Sequence, residues 1–201
     1  MPGRKRSAQL QPSGRSGSRR VQVLSSKVVY NGKVFNVTSE KVREPGGITA
    51  QRDVVRHSGS VVVLAIDGTG SEPRVLLERQ YRYAAEDYLW ELPAGRVDPG
   101  EGVLAGAKRE LMEETGYRAK QWKRALFFYP SPGFLDETMT IYLARELTSG
   151  HAEPEDDESI ECKLLPLSEV VDMALSGEIR DGKTIAGVLW LAESLRRGIL
   201  A

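Results

Sequence analysis

The sequence has few of the residues that mark special classes of protein. It contains one cysteine, Cys162, in 201 residues, which excludes a disulfide framework and any zinc site built from several cysteines. It has no run of about eighteen apolar residues, so we expect no membrane-spanning helix. Its first residues lack the apolar stretch of a secretory signal. These absences favour a protein of the cytoplasm.

Net charge is also absent, because 28 lysines and arginines balance 28 aspartates and glutamates. The charges are unevenly distributed, since residues 1–20 contain six basic residues and no acidic one. This segment is rich in serine and glycine and cannot bury enough apolar surface to offset the entropy of ordering. We therefore expect residues 1–20 to be a disordered basic tail. No aromatic residue lies between these charges, so we expect no nucleic-acid partner.

From Val21 onward, short β-branched runs alternate with a few helical segments. Asn31-Gly32 lies between two strand-like runs, 27–30 and 33–42, and predicts a hairpin. Further strands are predicted at 21–24, 48–55, 61–66, 74–83, 89–92, 126–129, 138–144 and 160–164, and helices at 102–115, 167–176 and 184–197. Many strands with one central and two terminal helices indicate an α/β or α+β fold with a mixed sheet.

The central helix ends in a segment, Arg109 to Gly116, that conflicts with the usual rules for helices. At about 100° per residue, Glu110, Glu113 and Glu114 project within an arc of about 100°. Glu110 and Glu114 are like charges four residues apart, which costs a few tenths of a kcal/mol. Glu113 and Glu114 lie in the last turn, where the helix dipole disfavours anions by about 0.3–1 kcal/mol. Local conflicts of this kind are typical of functional sites.

A divalent cation beside these carboxylates would remove both penalties. Clustered carboxylates are hard oxygen ligands that suit Mg²⁺, with Mn²⁺ as the alternative. Because Mg²⁺ takes substrate phosphates as further ligands, the cluster points to phosphate chemistry. Arg109, four residues before Glu113, can orient that carboxylate. Taken alone, the helix is equally well explained as a solvated acidic face.

The surrounding residues resemble the Nudix box. The run reads Gly95, five residues, Glu101, seven residues, Arg109-Glu110-Leu111, one residue, Glu113-Glu114, one residue and Gly116-Tyr117. Every fixed position of the box is matched, with Leu111 and Tyr117 at its apolar places. The sequence is therefore similar to the Nudix hydrolases. The resemblance implies a mixed-sheet α/β/α sandwich, preceded here by a small antiparallel β region, and hydrolysis of a nucleoside diphosphate linked to another moiety.

The same resemblance implies the division of the chain and the metal site. We expect the basic tail at 1–20, an N-terminal β region for dimerisation and substrate contact at 21–58, and the hydrolase domain at 59–201. Relatives are typically homodimers in which these strands complete the partner's site. The implied Mg²⁺ ligands are the side chains of Glu110, Glu113 and Glu114 and the carbonyl of Ala94. Arg109 and Glu101 would brace the metal-binding carboxylates.

A second string, Ser131-Pro132-Gly133 followed by Glu137, resembles the ADP-ribose pyrophosphatase branch, with Pro132 sixteen residues after Gly116. The resemblance implies cleavage of ADP-ribose to AMP and ribose 5-phosphate. The implied substrate residues are Arg82 at the diphosphate, Arg52 with Tyr30 or Phe35 at the adenine, Glu137 at a ribose hydroxyl, and Pro132 and Gly133 in the substrate loop. Another nucleotide sugar, or a dinucleotide, is the alternative substrate.

The general base is expected in the loop 151–161, where six of eleven residues are acidic. In this branch a glutamate of the corresponding loop activates the attacking water. The spacing to Ile160 favours Glu158, with Glu155 and Asp157 as alternatives. A different class of function is a non-catalytic Nudix module that senses ADP-ribose. Such modules are expected to have a damaged box or a fused DNA-binding domain, and the box here is intact.

Overall fold

The computed structural model describes residues 20–68, 72–152 and 160–200. The predicted basic tail lies outside these ranges except for Arg20. The described strands are β1 (Gln22–Asn31), β2 (Asn36–Arg43), β3 (Thr49–Arg56), β4 (Ser60–Asp67), β5 (Arg74–Arg82), β6 (Asp87–Glu91), β7 (Ala94–Arg96), β8 (Arg118–Phe128), β9 (Met139–Thr148) and β10 (Glu161–Pro166). The described α-helices are α1 (Val103–Thr115), α2 (Leu167–Ser176) and α3 (Gly182–Arg196). Within the described ranges, no helix has both the length and the apolar character needed to cross a bilayer.

The strands form two sheets. β1, β2 and β3 make an antiparallel three-stranded sheet, here called the N-terminal sheet. The other seven strands form the central sheet, in which β10, β5, β4, β9 and β8 lie side by side, while β6 pairs with β5 and β7 with β4. β4 and β9 run parallel and the remaining pairs are antiparallel, so the central sheet is mixed.

Strand β4 lies at the middle of the core and is buried on both faces. Its alternate residues Val61 and Val63 pack towards α1, in a cluster that includes Leu111. Val62 and Leu64 point to the other face and join a larger cluster with α2 and α3. This alternation is the two-residue period of a strand, applied to a sheet with helices on both sides. The result confirms the predicted α/β/α sandwich with a mixed sheet.

The N-terminal sheet, also predicted, has much less cover. All ten residues of β1 are exposed, including Val28 and Val29. The sheet joins the rest of the chain through Val55, whose N–H donates to the Phe134 carbonyl (2.8 Å) and whose carbonyl accepts from the Asp136 N–H (3.1 Å). Strand β3 is therefore anchored to the loop before β9, while β1 extends away as an exposed edge.

Several elements differ from the sequence-based expectations. β1 is one strand that joins the two predicted runs 21–24 and 27–30. β2 begins at Asn36 rather than at residue 33, because the Gly32 N–H donates to the Phe35 carbonyl (3.0 Å) and closes a longer turn. β8 starts at Arg118, eight residues before the predicted start, since its first half is a largely solvent-facing strand that lacks an apolar run. The short strand β7 pairs with β4 but carries no strand pattern in three residues, AGR.

Candidate active site

A cavity of about 500 Å³ opens where β4 and β5 diverge. The two strands pair at Ile66 with Val75 and at Asp67 with Arg74, while another part of β4 pairs with β7 and another part of β5 pairs with β6. Ser60 at the start of β4 and Arg82 at the end of β5 both line the cavity. The lining residues that bear on function are Arg82, Ala94, Gly95, Arg109, Glu110, Glu114 and Lys183.

Arg109 is the centre of a group of ion pairs on α1, which carries most of the box carboxylates and is here called the box helix. Its guanidinium contacts the carboxylates of Glu101 (3.1 Å), Glu110 (2.8 Å) and Glu113 (2.9 Å), and it also donates to the Arg96 carbonyl (3.0 Å). The hydrogen bond to Glu101 is the main cause that raises the pKa of Arg109 far above its ordinary value. The same bond lowers the pKa of Glu101. Arg109 therefore joins three box carboxylates and fixes their positions.

Gly95 and Ala94 make room for the two box carboxylates that line the cavity. A Cβ at residue 95 would lie 2.0 Å from Oε1 of Glu110, so only glycine lets that carboxylate rest against the backbone. The Ala94 N–H donates to Oε2 of Glu114 (3.1 Å), whose side chain is buried. The strand before the helix and the helix itself are thus fitted to each other through carboxylates rather than through apolar contacts.

The predicted metal ligands are close to one another but do not converge. Among the described residues, no three histidine, cysteine, aspartate or glutamate side chains come close enough to hold a metal ion. Glu110 and Glu113 turn to Arg109, while Glu114 turns to the Ala94 N–H. Their chemistry still fits a hard divalent cation, because all the donors are carboxylate or carbonyl oxygens. The close approach of Glu110 to Gly95 is an arrangement that helix formation alone does not require.

Arg82, a predicted substrate residue, also lines the cavity. It belongs to a group of paired charges that the sequence did not predict. It forms a two-point ion pair with the buried Glu91, with both N–O distances at 2.9 Å. Lys183, near the start of α3, also contacts Glu91 and lines the cavity. The sequence offered one signal for Lys183: it lies two residues after Asp181, which caps α3, at the start of a largely apolar helix.

The predicted ribose residue Glu137 is held next to the cavity. It accepts a hydrogen bond from the Ser60 hydroxyl (2.5 Å), and its Oε1 lies 3.6 Å from Nδ1 of His57. That ring nitrogen also accepts a hydrogen bond from the Gly59 N–H (3.1 Å). Pro132 and Gly133 are exposed in the preceding loop and do not line the cavity.

The residues predicted to contact adenine lie on the N-terminal sheet and do not line this cavity. Tyr30 and Phe35 pack on each other with ring centroids 5.5 Å apart, and both are exposed. Arg52 is also exposed and pairs with Glu44. Within one chain, the structure therefore brings Arg82 and the box residues together, whereas the turn between Tyr30 and Phe35 reaches the cavity only with Lys33 and Val34.

The predicted general base, Glu158, and its alternatives, Glu155 and Asp157, lie outside the described residues. The described start of their loop packs against the end of the box. A Cβ at Gly116 would lie 2.8 Å from the carbonyl carbon of His151 and 2.7 Å from the backbone nitrogen of Ala152. Gly116 also ends α1 with a φ of 71°, a conformation that glycine adopts readily. The acidic loop thus begins beside the carboxylate-bearing helix.

Comparisons with known proteins agree with this geometry. The chain is 34% identical over 172 residues to an ADP-ribose pyrophosphatase of Bacillus subtilis, covering 85% of this chain and 91% of the relative. It is 38% identical over 171 residues to an ADP-ribose pyrophosphatase of Mycobacterium tuberculosis, covering 84% of this chain and 81% of the relative.

A solved structure, "Crystal structure of ADP compounds hydrolase", shares the fold with a TM-score of 0.76 at 22% identity, covering 96% of this chain and 98% of that one. A family model for the NUDIX domain matches residues 56–188. Since this match spans more than half of the chain, and both pyrophosphatases exceed 30% identity over most of it, the chain belongs to the Nudix family.

Proposed function

We propose that this chain hydrolyses the diphosphate linkage of ADP-ribose to AMP and ribose 5-phosphate, with Mg²⁺ as its cofactor. The observation that carries the proposal is the cavity that Glu110 and Glu114 of the box helix line together with Arg82. The similarity to two ADP-ribose pyrophosphatases over more than four fifths of the chain supports the choice of substrate.

The box residues would hold the cation. Nudix hydrolases generally use Mg²⁺, and the ligands proposed here are the side chains of Glu110, Glu113 and Glu114 and the carbonyl of Ala94. When bound, Mg²⁺ would offset the charge of the diphosphate and activate the attacking water. Arg109 and Glu101 would keep the metal-binding carboxylates oriented, since Arg109 contacts Glu110 and Glu113.

Other residues would position the substrate and move the proton. Arg82 would bind diphosphate oxygens, because a guanidinium presents paired N–H groups to phosphate. Glu137 would accept a ribose hydroxyl, near the loop that contains Pro132 and Gly133. Glu158 would take the proton of the attacking water, with Glu155 and Asp157 as alternatives. The start of their loop against Gly116 supports this role, because the chain enters the loop beside the box helix.

A substrate panel tests this function. kcat/KM is measured with Mg²⁺ for ADP-ribose, ADP-glucose, GDP-mannose and a dinucleotide such as NADH. We expect ADP-ribose to have the highest value. A clear preference for another compound would contradict the substrate assignment, and binding of ADP-ribose without turnover would favour the sensor alternative.

We further propose that the protein is a homodimer in which the N-terminal sheet of one protomer completes the cavity of the other. Two observations support this: β1 exposes several valines along its length, and Arg52, Tyr30 and Phe35 do not line the cavity of their own chain. Large exposed apolar patches commonly mark interaction surfaces. A dimer would cover the patch and bring an arginine and an aromatic ring to a purine.

Mixed dimers test this arrangement. Arg52→Ala and Glu114→Gln each impair every site of their own homodimer. In a mixed dimer, one of the two sites combines an intact cavity with an intact partner Arg52, so purified mixed dimers should recover turnover towards half of the wild-type value. Purified mixed dimers that remain as inactive as both homodimers would contradict the proposal. A mixed dimer of Arg52→Ala and Arg82→Met should behave in the same way.

A further inference from the structure

Glu91 is a buried carboxylate in contact with two cations. Arg82 donates from Nε to Oε1 and from Nη2 to Oε2, both at 2.9 Å. Lys183 contacts the same Oε2 through Nζ. The side chain of Glu91 is 2% exposed and that of Lys183 is 7% exposed, whereas Arg82 is 37% exposed. Arg82 is therefore the member of the group most open to the cavity.

The geometry of the Arg82–Glu91 pair leaves the arginine able to bind an anion. A guanidinium has five N–H groups in one plane, and Glu91 takes one on Nε and one on Nη2. The other three N–H groups are not used by Glu91. Because a two-point contact fixes the plane of a guanidinium, Glu91 determines where those N–H groups point.

Lys183 occupies a position that is unfavourable for a lysine. It is buried in the first turn of α3, where the helix dipole disfavours a cation. Asp181 offsets part of this cost, since its Oδ2 lies 3.1 Å from Nζ and also accepts the Thr184 N–H (2.9 Å). Thr184 in turn accepts the Leu92 N–H (2.8 Å) through its hydroxyl, which ties α3 to the residue after Glu91.

The charges of this group balance only with Lys183 present. Arg82 and Lys183 offset Glu91 and Asp181, and without Lys183 one negative charge would remain beside the cavity. Burial raises the pKa of Glu91, but Arg82 and Lys183 more than compensate and hold it below its ordinary value. Glu91 is therefore ionised, and its charge would repel an anionic substrate if Lys183 were absent.

We infer that Glu91 and Lys183 are positioning residues for substrate binding: Glu91 aims the guanidinium of Arg82 into the cavity, and Lys183 offsets the charge of Glu91 so that Arg82 can attract a diphosphate. This inference rests on the proposed function for the nature of the ligand. It assigns a role to a lysine that lies outside the box and in the last helix.

A double-mutant cycle tests the inference. Lys183→Met, Arg82→Met and the double variant are compared with the wild type by the Kd for ADP with Mg²⁺, measured by calorimetry, and by kcat and KM for ADP-ribose. Lys163→Met is the matched control, because Lys163 forms a lysine–glutamate pair with Glu161 (2.7 Å) but does not line the cavity. If Lys183→Met does not fold, Lys183→Gln replaces it, since its amide still donates to Glu91 without a charge.

We expect Lys183→Met to raise the KM for ADP-ribose and the Kd for ADP about tenfold, because the variant breaks the charged hydrogen bond between Lys183 and Glu91. We expect kcat to change less than about threefold. In the Arg82→Met background, the same change should add less than about twofold, because the two residues act as a unit. An equal effect in both backgrounds would overturn the inference, as would a lower melting temperature with unchanged KM and Kd. A wild type that binds ADP but does not hydrolyse ADP-ribose would contradict the proposed function alone, and the Kd cycle would still decide the coupling.

Discussion

The cavity and the N-terminal sheet differ in how far side chains find partners within one chain. In the cavity region, Arg109 contacts three carboxylates and Glu91 contacts two cations, so the charged groups described there are paired within the chain. In the N-terminal sheet, valines and aromatic rings are exposed. The cavity region therefore needs only small charged ligands to complete it, whereas the N-terminal sheet has apolar side chains that the described part of the chain leaves uncovered.

This difference indicates two kinds of missing partner. Charged side chains held in fixed positions are suited to bind a cation and a phosphate compound, because these ligands can replace the ion pairs that the side chains form with one another. Exposed apolar strands are suited to another protein surface, because only a large apolar area removes them from water. Variants in the cavity should therefore change catalysis, and variants in the sheet should change association.

The largest expected effect is that of Glu114→Gln. Glutamine keeps the shape and can still accept the Ala94 N–H, but it removes a charged metal ligand. We expect kcat for ADP-ribose to fall by at least about a hundredfold with an unchanged circular dichroism spectrum. Glu169→Gln, an exposed residue of α2, is the control. Wild-type turnover in Glu114→Gln would remove the metal-site assignment, and we expect the same loss for Glu113→Gln.

A smaller loss is expected for Gly95→Ala. The added Cβ would meet Oε1 of Glu110 at 2.0 Å and displace that carboxylate. We expect kcat to fall by about ten- to a hundredfold, with a higher Mg²⁺ concentration needed for half-maximal rate. Gly102→Ala, just before α1, is the matched control, because its Cβ would meet nothing within 4 Å. Equal rates for the two variants would show that the contact at Gly95 has no catalytic consequence.

In the N-terminal sheet, the double variant Val28→Ser/Val29→Ser should change association before stability. Both valines are more than half exposed in the chain, so their replacement should barely alter the melting temperature of the monomer. Because each valine is only a little more than half exposed in the chain, its burial in a dimer would contribute about 1–2 kcal/mol, and loss of both should shift the population towards monomers. Sedimentation velocity measures this shift. Val103→Ser, an exposed valine of α1, is the control, and an unchanged sedimentation coefficient would exclude this patch from the interface.

The smallest effect is expected at Cys162. Burial, with contributions from Glu78 and Glu114, raises the pKa of its thiol to about 12. At pH 8 the folded protein should therefore react with a thiol reagent far more slowly than the urea-unfolded chain, whose thiol has a pKa of about 8.5. Equal rates would indicate that this side of the box helix opens readily. Labelling kinetics supply the measurement.

The sequence was most informative where the residues of one chemical site stand at fixed distances along the chain. The box predicted α1, its end at Gly116 and the family, because those residues serve one local arrangement. The four-residue spacing also indicated that Arg109 can orient Glu113, but it could not indicate that the Arg109 guanidinium also donates to the Arg96 carbonyl, since spacing along a helix says nothing of contacts outside it. Lys183 was missed because it joins the site from a helix distant in sequence.

Strand predictions failed for a related reason. The first half of β8 is polar and mostly solvent-facing, and its pairing with β9 depends on backbone contacts that leave no apolar pattern. The three residues of β7 are strand only because β4 lies beside them. The exposed faces of β1 carry the apolar residues of a strand, but the sequence could not indicate that its own chain leaves them uncovered.

The central claim is that the box carboxylates support metal-dependent cleavage of ADP-ribose. The most direct test is ³¹P NMR of ADP-ribose incubated with the protein, with Mg²⁺ and then with excess EDTA. The account predicts equal amounts of AMP and ribose 5-phosphate with Mg²⁺ and no cleavage with EDTA. Intact ADP-ribose in the presence of Mg²⁺, or cleavage that continues in EDTA, would contradict it.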